Sequence, residues 1–292
     1  MFTFAVITCN RVHYLKNCVN SIIEFVGLDK IDLMILDNRT SEDGIDEYLS
    51  SLPSTVHVKR FNEKSPHELH RAMNYAIQWS RDKGNQYCNF IQDDYQYLYS
   101  QPDMLNRVKE VFDEYPDVVQ VHTNLVWKAK HKNIGRVKVR KTKSASWFWP
   151  TEKPPCDNGF TRVSMYDRIG LYPSYTSIHG KEKGFISGES WLAGQCEKHG
   201  LQRFMATEPN QAMIFDCAFI RGDKREGRYF SPPNKYYLKP FDLESVDLIK
   251  ENARLERWSF IENMVEPDGW VPKTMGKHSV DKSSQIIGRK DN

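Results

Sequence analysis

Two rhythms of apolar residues alternate along the first hundred positions. The stretch "FTFAVIT", Phe2 to Thr8, is almost continuously apolar or β-favouring, as a strand buried on both faces must be. "NRVHYLKNCVNSIIEF" then spaces Val12, Leu15, Cys18, Val19 and Ile22 for one face of a helix, with Asn10 placed to cap it. "IDLMILDN", Ile31 to Asn38, is a second buried strand, "SEDGIDEYLSSL" a turn and short helix, and "VHVKRFN" a third strand. "PHELHRAMNYAIQWSRDKG" puts Leu69, Met73, Ala76 and Ile77 on one helical face, with Gly84 near its end. "QYCNFIQ" is a fourth strand that runs straight into Asp93 and Asp94.

Repeated strand–helix alternation predicts an α/β fold with a Rossmann-like, mostly parallel sheet flanked by helices. Ligands of such sheets gather outside the carboxyl ends of the strands. Polar residues collect at those ends: Thr8 to Arg11, Asp37 to Arg39, and Gln92 to Gln96. The second half is less regular. "MLNRVKEVFDEYPDVVQVHTNLVW" reads as a helix and a strand, and "ESWLAGQCEKHGLQRFMAT" as a helix, Gly200 and another strand. "SASWFWP" falls in a stretch of loops and short strands, and "FDLESVDLIKENARLERWSFIENM" is a late amphipathic helix. No Pro- or Ser-rich linker divides the chain, which points to one composite domain.

Charged residues make up 27% and aromatics 12% of the 292 positions, a composition that excludes a disordered chain. The net charge of +3 gives no general affinity for nucleic acid. Its distribution is uneven: Lys128 to Lys143 carries eight Lys and Arg and no acid. That run is either a solvated loop or an attractor for an anionic substrate or a membrane surface. Six scattered cysteines without a CxxC pair read as reduced thiols of a cytoplasmic protein, and no apolar run is long enough to span a bilayer. The start "MFTFAVITC" reads as a strand, not a signal peptide.

The chemistry concentrates in "FIQDDY". Adjacent carboxylates at a strand end suit a hard divalent cation, Mg²⁺ or Mn²⁺, because such ions take oxygen ligands and share them with phosphates. A solvated turn is the plain alternative. In "LMILDNRTSEDG", Asp37 and Asn38 can accept from a nucleobase or a ribose, or form an Asx turn.

Three segments together carry a family resemblance. Thr8, Cys9, Asn10 and Arg11 are similar to a "TxNR" turn, Ile35 to Gly44 to "hhhhDNxSxDGT", and "HRAMNYA" to "xxARNxG". With "FIQDDY" after them, residues 2–100 resemble the nucleotide-binding half of inverting, family-2-like glycosyltransferases with the A-type glycosyltransferase fold. The resemblance implies a transferase that moves a sugar from a nucleotide-sugar to an acceptor hydroxyl. Thr8, Asn10, Arg11, Asp37, Asn38, Asn74, Gln92 and Asp93 would surround the donor, and Asp94 would hold the divalent metal on its diphosphate. Gln92 stands where the family often has a first acid, so that charge is missing. Glu189, before an amphipathic helix, matches the family's general base, with Ser190 in place of a second acid. Asp216 falls where relatives supply a further metal ligand, and Trp147 or Trp149 could stack on an acceptor sugar. The resemblance also implies a glycan, glycolipid or glycoprotein acceptor, with peripheral membrane association as one setting.

On this reading residues 1–100 form the nucleotide-sugar-binding half and 101–240 the acceptor-binding and catalytic half of one composite domain. Residues 241–272 are a helical extension and 273–292 a flexible tail. The basic segment at 220–230 is a solvated loop, or one that could close over the diphosphate. The rival enzyme class, a sugar nucleotidyltransferase, usually has a Gly-rich loop after its first strand, and "TCNRVHYLKN" has no glycine. A decayed nucleotide-sugar-binding module is the non-catalytic alternative.

Overall fold

The computed structural model describes residues 1–63, 65–97, 100–123, 140–143, 147–151, 158–178, 183–206 and 210–213. Asp216, residues 128–139 of the basic run, the 220–230 loop, the late helix and the tail lie outside them.

The first half follows the apolar rhythm closely. Strands β1 (Phe2–Thr8), β2 (Ile31–Asp37), β3 (His57–Arg60) and β4 (Tyr87–Gln92) alternate with helices α1 (Val12–Phe25), α2 (Ile45–Ser51) and α3 (Glu68–Asp82). After them come β5 (Tyr95–Tyr97), α4 (Met104–Glu114), β6 (Val118–His122), β7 (Arg140–Lys141), β8 (Trp147–Thr151) and β9 (Gly159–Arg162). The described chain continues with α5 (Met165–Ile169), β10 (Thr176–Ser177), β11 (Ile186–Ser187), α6 (Gly188–Lys198), β12 (Gln202–Ala206) and β13 (Gln211–Met213). Among the described residues no helix is long and apolar enough to cross a membrane.

The strands form a nine-stranded sheet in the order β3-β2-β1-β4-β9-β6-β12-β8-β7. β1 to β4 are mutually parallel, and β6 is parallel to β12. β9 runs antiparallel to both β4 and β6, and β8 antiparallel to β12 and β7. The sheet is the mixed but mostly parallel α/β architecture expected from the alternation.

Every residue of β1 is buried, because both sheet faces are covered. Phe4 and Val6 pack with Leu15, Cys18, Val19 and Ile22 of α1 and with Val108 and Phe112 of α4. Ala5 and Ile7 join Met73, Ala76 and Ile77 of α3 and Leu192 of α6 on the other side. The α1 and α3 stripes read from the sequence are therefore the two core faces. Asn10 does not cap α1. It adopts a left-handed conformation (φ 53°), and the amide of Val12 donates instead to Glu42 Oε2 at 2.8 Å.

Register fixes the ligand edge. Thr8 lies opposite Asp37, Asp37 opposite Arg60, and Ile7 opposite Gln92. The chain leaves β1, β2, β3 and β4 at one rim, where the loops into the helices begin.

Candidate active site

At that rim the loop after β1 is tied to the loop after β2. The Asn38 amide donates to Thr8 O at 2.9 Å, and the Asn10 amide to Thr40 Oγ1 at 3.0 Å. Asn10 Oδ1 accepts from the Ser41 amide at 2.7 Å. Asn10 and Arg39 both hold positive φ, a cost that side-chain hydrogen bonds offset more readily for Asn than for most residues. Glu42 fills the amide end of α1, which in Gly-rich phosphate loops is where a phosphate sits.

Asp37 is fully buried. Its Oδ1 accepts from the Thr40 amide, three residues on, at 2.9 Å, while its Oδ2 takes Arg60 Nε at 2.9 Å. Arg60 also pairs with Asp46. The carboxylate expected to meet a base is thus also a structural anchor. Arg60 was not singled out from the sequence, although as the last residue of β3 it stands level with Asp37 in the sheet. Asn38 is buried beside it.

Asp93 and Asp94 follow β4, and their side chains are 0% exposed. The Thr8 hydroxyl donates to Asp93 Oδ2 at 2.6 Å. Arg11 joins the pair: one guanidinium nitrogen contacts Asp93, and the other reaches Asp94 Oδ2 at 3.1 Å. Burial pushes the Asp93 carboxyl up to about 7, Asp94 pushes it the same way, and Arg11 and Thr8 pull it back. The Cys9 thiol is driven up to about 12, first by burial and then by Glu68, Asp37 and Asp93.

Asp93 and Asp94 put buried carboxylate oxygens side by side, a donor type that suits a divalent cation in kind. Among the described residues no group of three acid, His or Cys side chains is arranged to hold a metal, so further oxygens would have to come from a ligand such as a diphosphate. The residues fit the cation on the condition that Arg11 yields Asp94. Gln92, half-buried, ends β4 and offers its carbonyl to Cys18 Sγ at 3.9 Å.

Asn74 lies on α3. Its amide donates to Tyr172 O at 2.8 Å and its Oδ1 accepts from the Tyr172 amide at 3.0 Å, so both ends of this side chain hold backbone. Tyr172 stacks on His70 at 4.7 Å and tilts against Trp191 of α6 at 5.0 Å. His70 is fully buried against Gly188, the first residue of α6: a Cβ there would lie 1.9 Å from His70 Nε2. The first turn of α3 sits at the ligand rim, because it follows the loop leaving β3. Its contact with Gly188 brings the start of α6 to the same rim, and Glu189 is exposed in the first turn of α6. No local pattern signalled this contact, since His70 and Gly188 are far apart in the chain. Trp147 and Trp149 belong to the short strand β8, between β12 and β7.

The family model for glycosyl transferase family 2 matches residues 3–170, more than half of the chain. The chain belongs to this family and is a glycosyltransferase. Among solved structures it resembles S. aureus TarS 1-349 at 12% identity, over 87% of this chain and 72% of that one, with a TM-score of 0.47. It also resembles GalNAc-T7, crystallised with UDP, GalNAc and Mn²⁺, at 11% identity and a TM-score of 0.51. That match covers 90% of this chain and 50% of GalNAc-T7, so this chain spans about half the length of that protein. At such identities the likeness concerns the fold. No curated protein matches the sequence.

Proposed function

We propose that this glycosyltransferase moves a sugar from a nucleoside-diphosphate donor to a hydroxyl of a glycan, glycolipid or glycoprotein acceptor, with inversion and with a divalent metal at Asp94. The observation that carries the reading is the convergence on one rim of Thr8, Arg11, Asp37, Asn38, Asp93 and Asp94 with the start of α6. These residues come from three strand ends and one distant helix, and family membership supplies the transfer chemistry.

The buried pair Asp93–Asp94 would hold Mn²⁺ or Mg²⁺, which supplies charge neutralisation for the departing diphosphate. Thr8 fixes one carboxylate of that pair by its hydrogen bond. The loops at Asn10 and Asn38 line the nucleotide, with Asp37 shaping them through Thr40 and Arg60. Glu189 is exposed in the first turn of α6, as a base that must meet an incoming hydroxyl has to be. It takes that hydroxyl's proton while the oxygen attacks the anomeric carbon opposite the leaving group. The occupied amide end of α1 disfavours the nucleotidyltransferase reading, since no vacant phosphate cradle opens after β1.

A thermal-shift panel of UDP, GDP, CDP and dTDP, each with and without Mn²⁺, tests the donor reading. The expected result is stabilisation by one nucleotide that requires the metal and disappears in Asp94→Ala. A shift that ignores the metal and survives that substitution would overturn metal binding at Asp94.

A further inference from the structure

Arg11 contacts both aspartates at once. A planar guanidinium spans two adjacent carboxylates, each 0% exposed, while its own side chain is only 12% exposed. Buried charges persist only when paired, and two neighbouring carboxylates cannot remain ionised together without a cation. In the structure Arg11 is such a cation. Its nitrogen lies 3.1 Å from Asp94 Oδ2, an oxygen on the very carboxylate that metal binding needs.

We propose that Arg11 is a built-in counter-cation that competes with the divalent metal for Asp94. This inference rests on the donor reading and adds an order of events to it. Metal alone meets a carboxylate already occupied by a guanidinium and binds weakly. A nucleoside diphosphate changes the balance, because it offers the displaced guanidinium an anionic partner of its own and gives the metal further oxygens. Metal and nucleotide therefore bind cooperatively, and Arg11 couples them. Arg11 is a positioning residue here: it holds the carboxylates until a metal takes Asp94, and then faces the diphosphate. Its site on the turn between β1 and α1 suits such a role, since that turn carries no strand pairing of its own and is held by Asn10 and Thr40.

The test is Mn²⁺ titration of the full chain followed by electron paramagnetic resonance of the free ion, which needs no turnover. Wild type, Arg11→Gln, Arg11→Lys and the double variant Arg11→Gln/Asp94→Asn are compared, each without nucleotide and with UDP, GDP, CDP or dTDP. The expected result is weak Mn²⁺ binding by nucleotide-free wild type, and binding at least about tenfold tighter in Arg11→Gln. The gain should vanish in the double variant. Arg11→Lys, which keeps a charge but cannot fork across two carboxylates, should fall between, and it serves if Arg11→Gln does not fold. Arg11→Gln should also be less thermostable than wild type in chelator and regain that loss when Mn²⁺ is added. Two results would overturn the proposal. If the Arg11 variants bind Mn²⁺ no better than wild type while wild type still binds it with a nucleotide, the competition is wrong and the donor reading stands. If no protein binds Mn²⁺ under any condition, both fail together.

Discussion

Asp93 and Asp94 adjoin in sequence but differ in what holds them. Asp93 takes the Thr8 hydroxyl and one arm of Arg11, whereas Asp94 takes the other arm. Glu189 is the opposite case, an exposed acid in the first turn of a helix. Replacing Glu189 by Gln should lower kcat by about 10²- to 10⁴-fold, the usual worth of a general base. Nucleotide binding, measured by calorimetry, should stay near wild type; an unchanged kcat would remove Glu189 from the chemistry. The residue-level pattern was partly legible. "FIQDDY" announced a charged strand end, and "LDNRTSEDG" a polar turn, in which Asp37 holds the Thr40 amide three residues on. The roles of Arg60 and Glu42 depend on sheet register and loop contact, neither of which has a local signal.

Among elements, α3 positions α6. Its apolar stripe was read correctly from spacing, but its polar members do the joining. Asn74 holds the Tyr172 backbone, and His70 fills the space beside Gly188. The sequence shows neither contact, since each spans a hundred or so residues. Gly188→Ala would put a methyl group into the His70 ring, which the stack on Tyr172 keeps in place. Overpacking of this kind should cost about 1–3 kcal/mol. Chemical denaturation checks the value, and adding His70→Ala should return much of it, as a double-mutant cycle on a contacting pair would show. Additive losses would mean that the two helices do not bear on each other here. Turnover should fall more than nucleotide affinity, because the shift displaces Glu189 and leaves the β1 and β2 loops alone. The early helices were easier to read than the late strands: α1 and α3 have long periodic faces, whereas β10, β11 and β13 are two or three residues long and carry no period.

For the whole molecule, the pH dependence of stability has a structural source in His67. It is buried, and its Nδ1 lies 3.0 Å from both the carbonyl and the hydroxyl of Thr176. Burial lowers its pKa first, the Thr176 carbonyl works against that, and His70 and Arg71 add to the lowering. The unfolded chain therefore binds this proton more readily than the folded one. The contribution of neutral His67 is fully present above its ordinary value of 6.5 and is lost as pH falls from there toward the lowered folded value. His67→Asn, which keeps an amide where Nδ1 stood, should flatten the melting temperature between pH 7 and pH 5 relative to wild type. Parallel curves for the two proteins would remove His67 from the acid response. At this scale the sequence reading was at its strongest. Four strands alternating with three helices define a parallel sheet, and the family match over residues 3–170 agrees with it.

β9 has a consequence for how the chain is made. It lies between β4 and β6, antiparallel to each, although it follows both in sequence. While the chain emerges from the ribosome, β4 displays an open hydrogen-bonding margin until residues 159–162 arrive to cover it. The nascent chain thus passes through a window in which an apolar strand can pair with a stranger. A recombinant piece that stops at Thr123 should stay in that window, and its expected fate is self-association rather than an isolated nucleotide-binding unit.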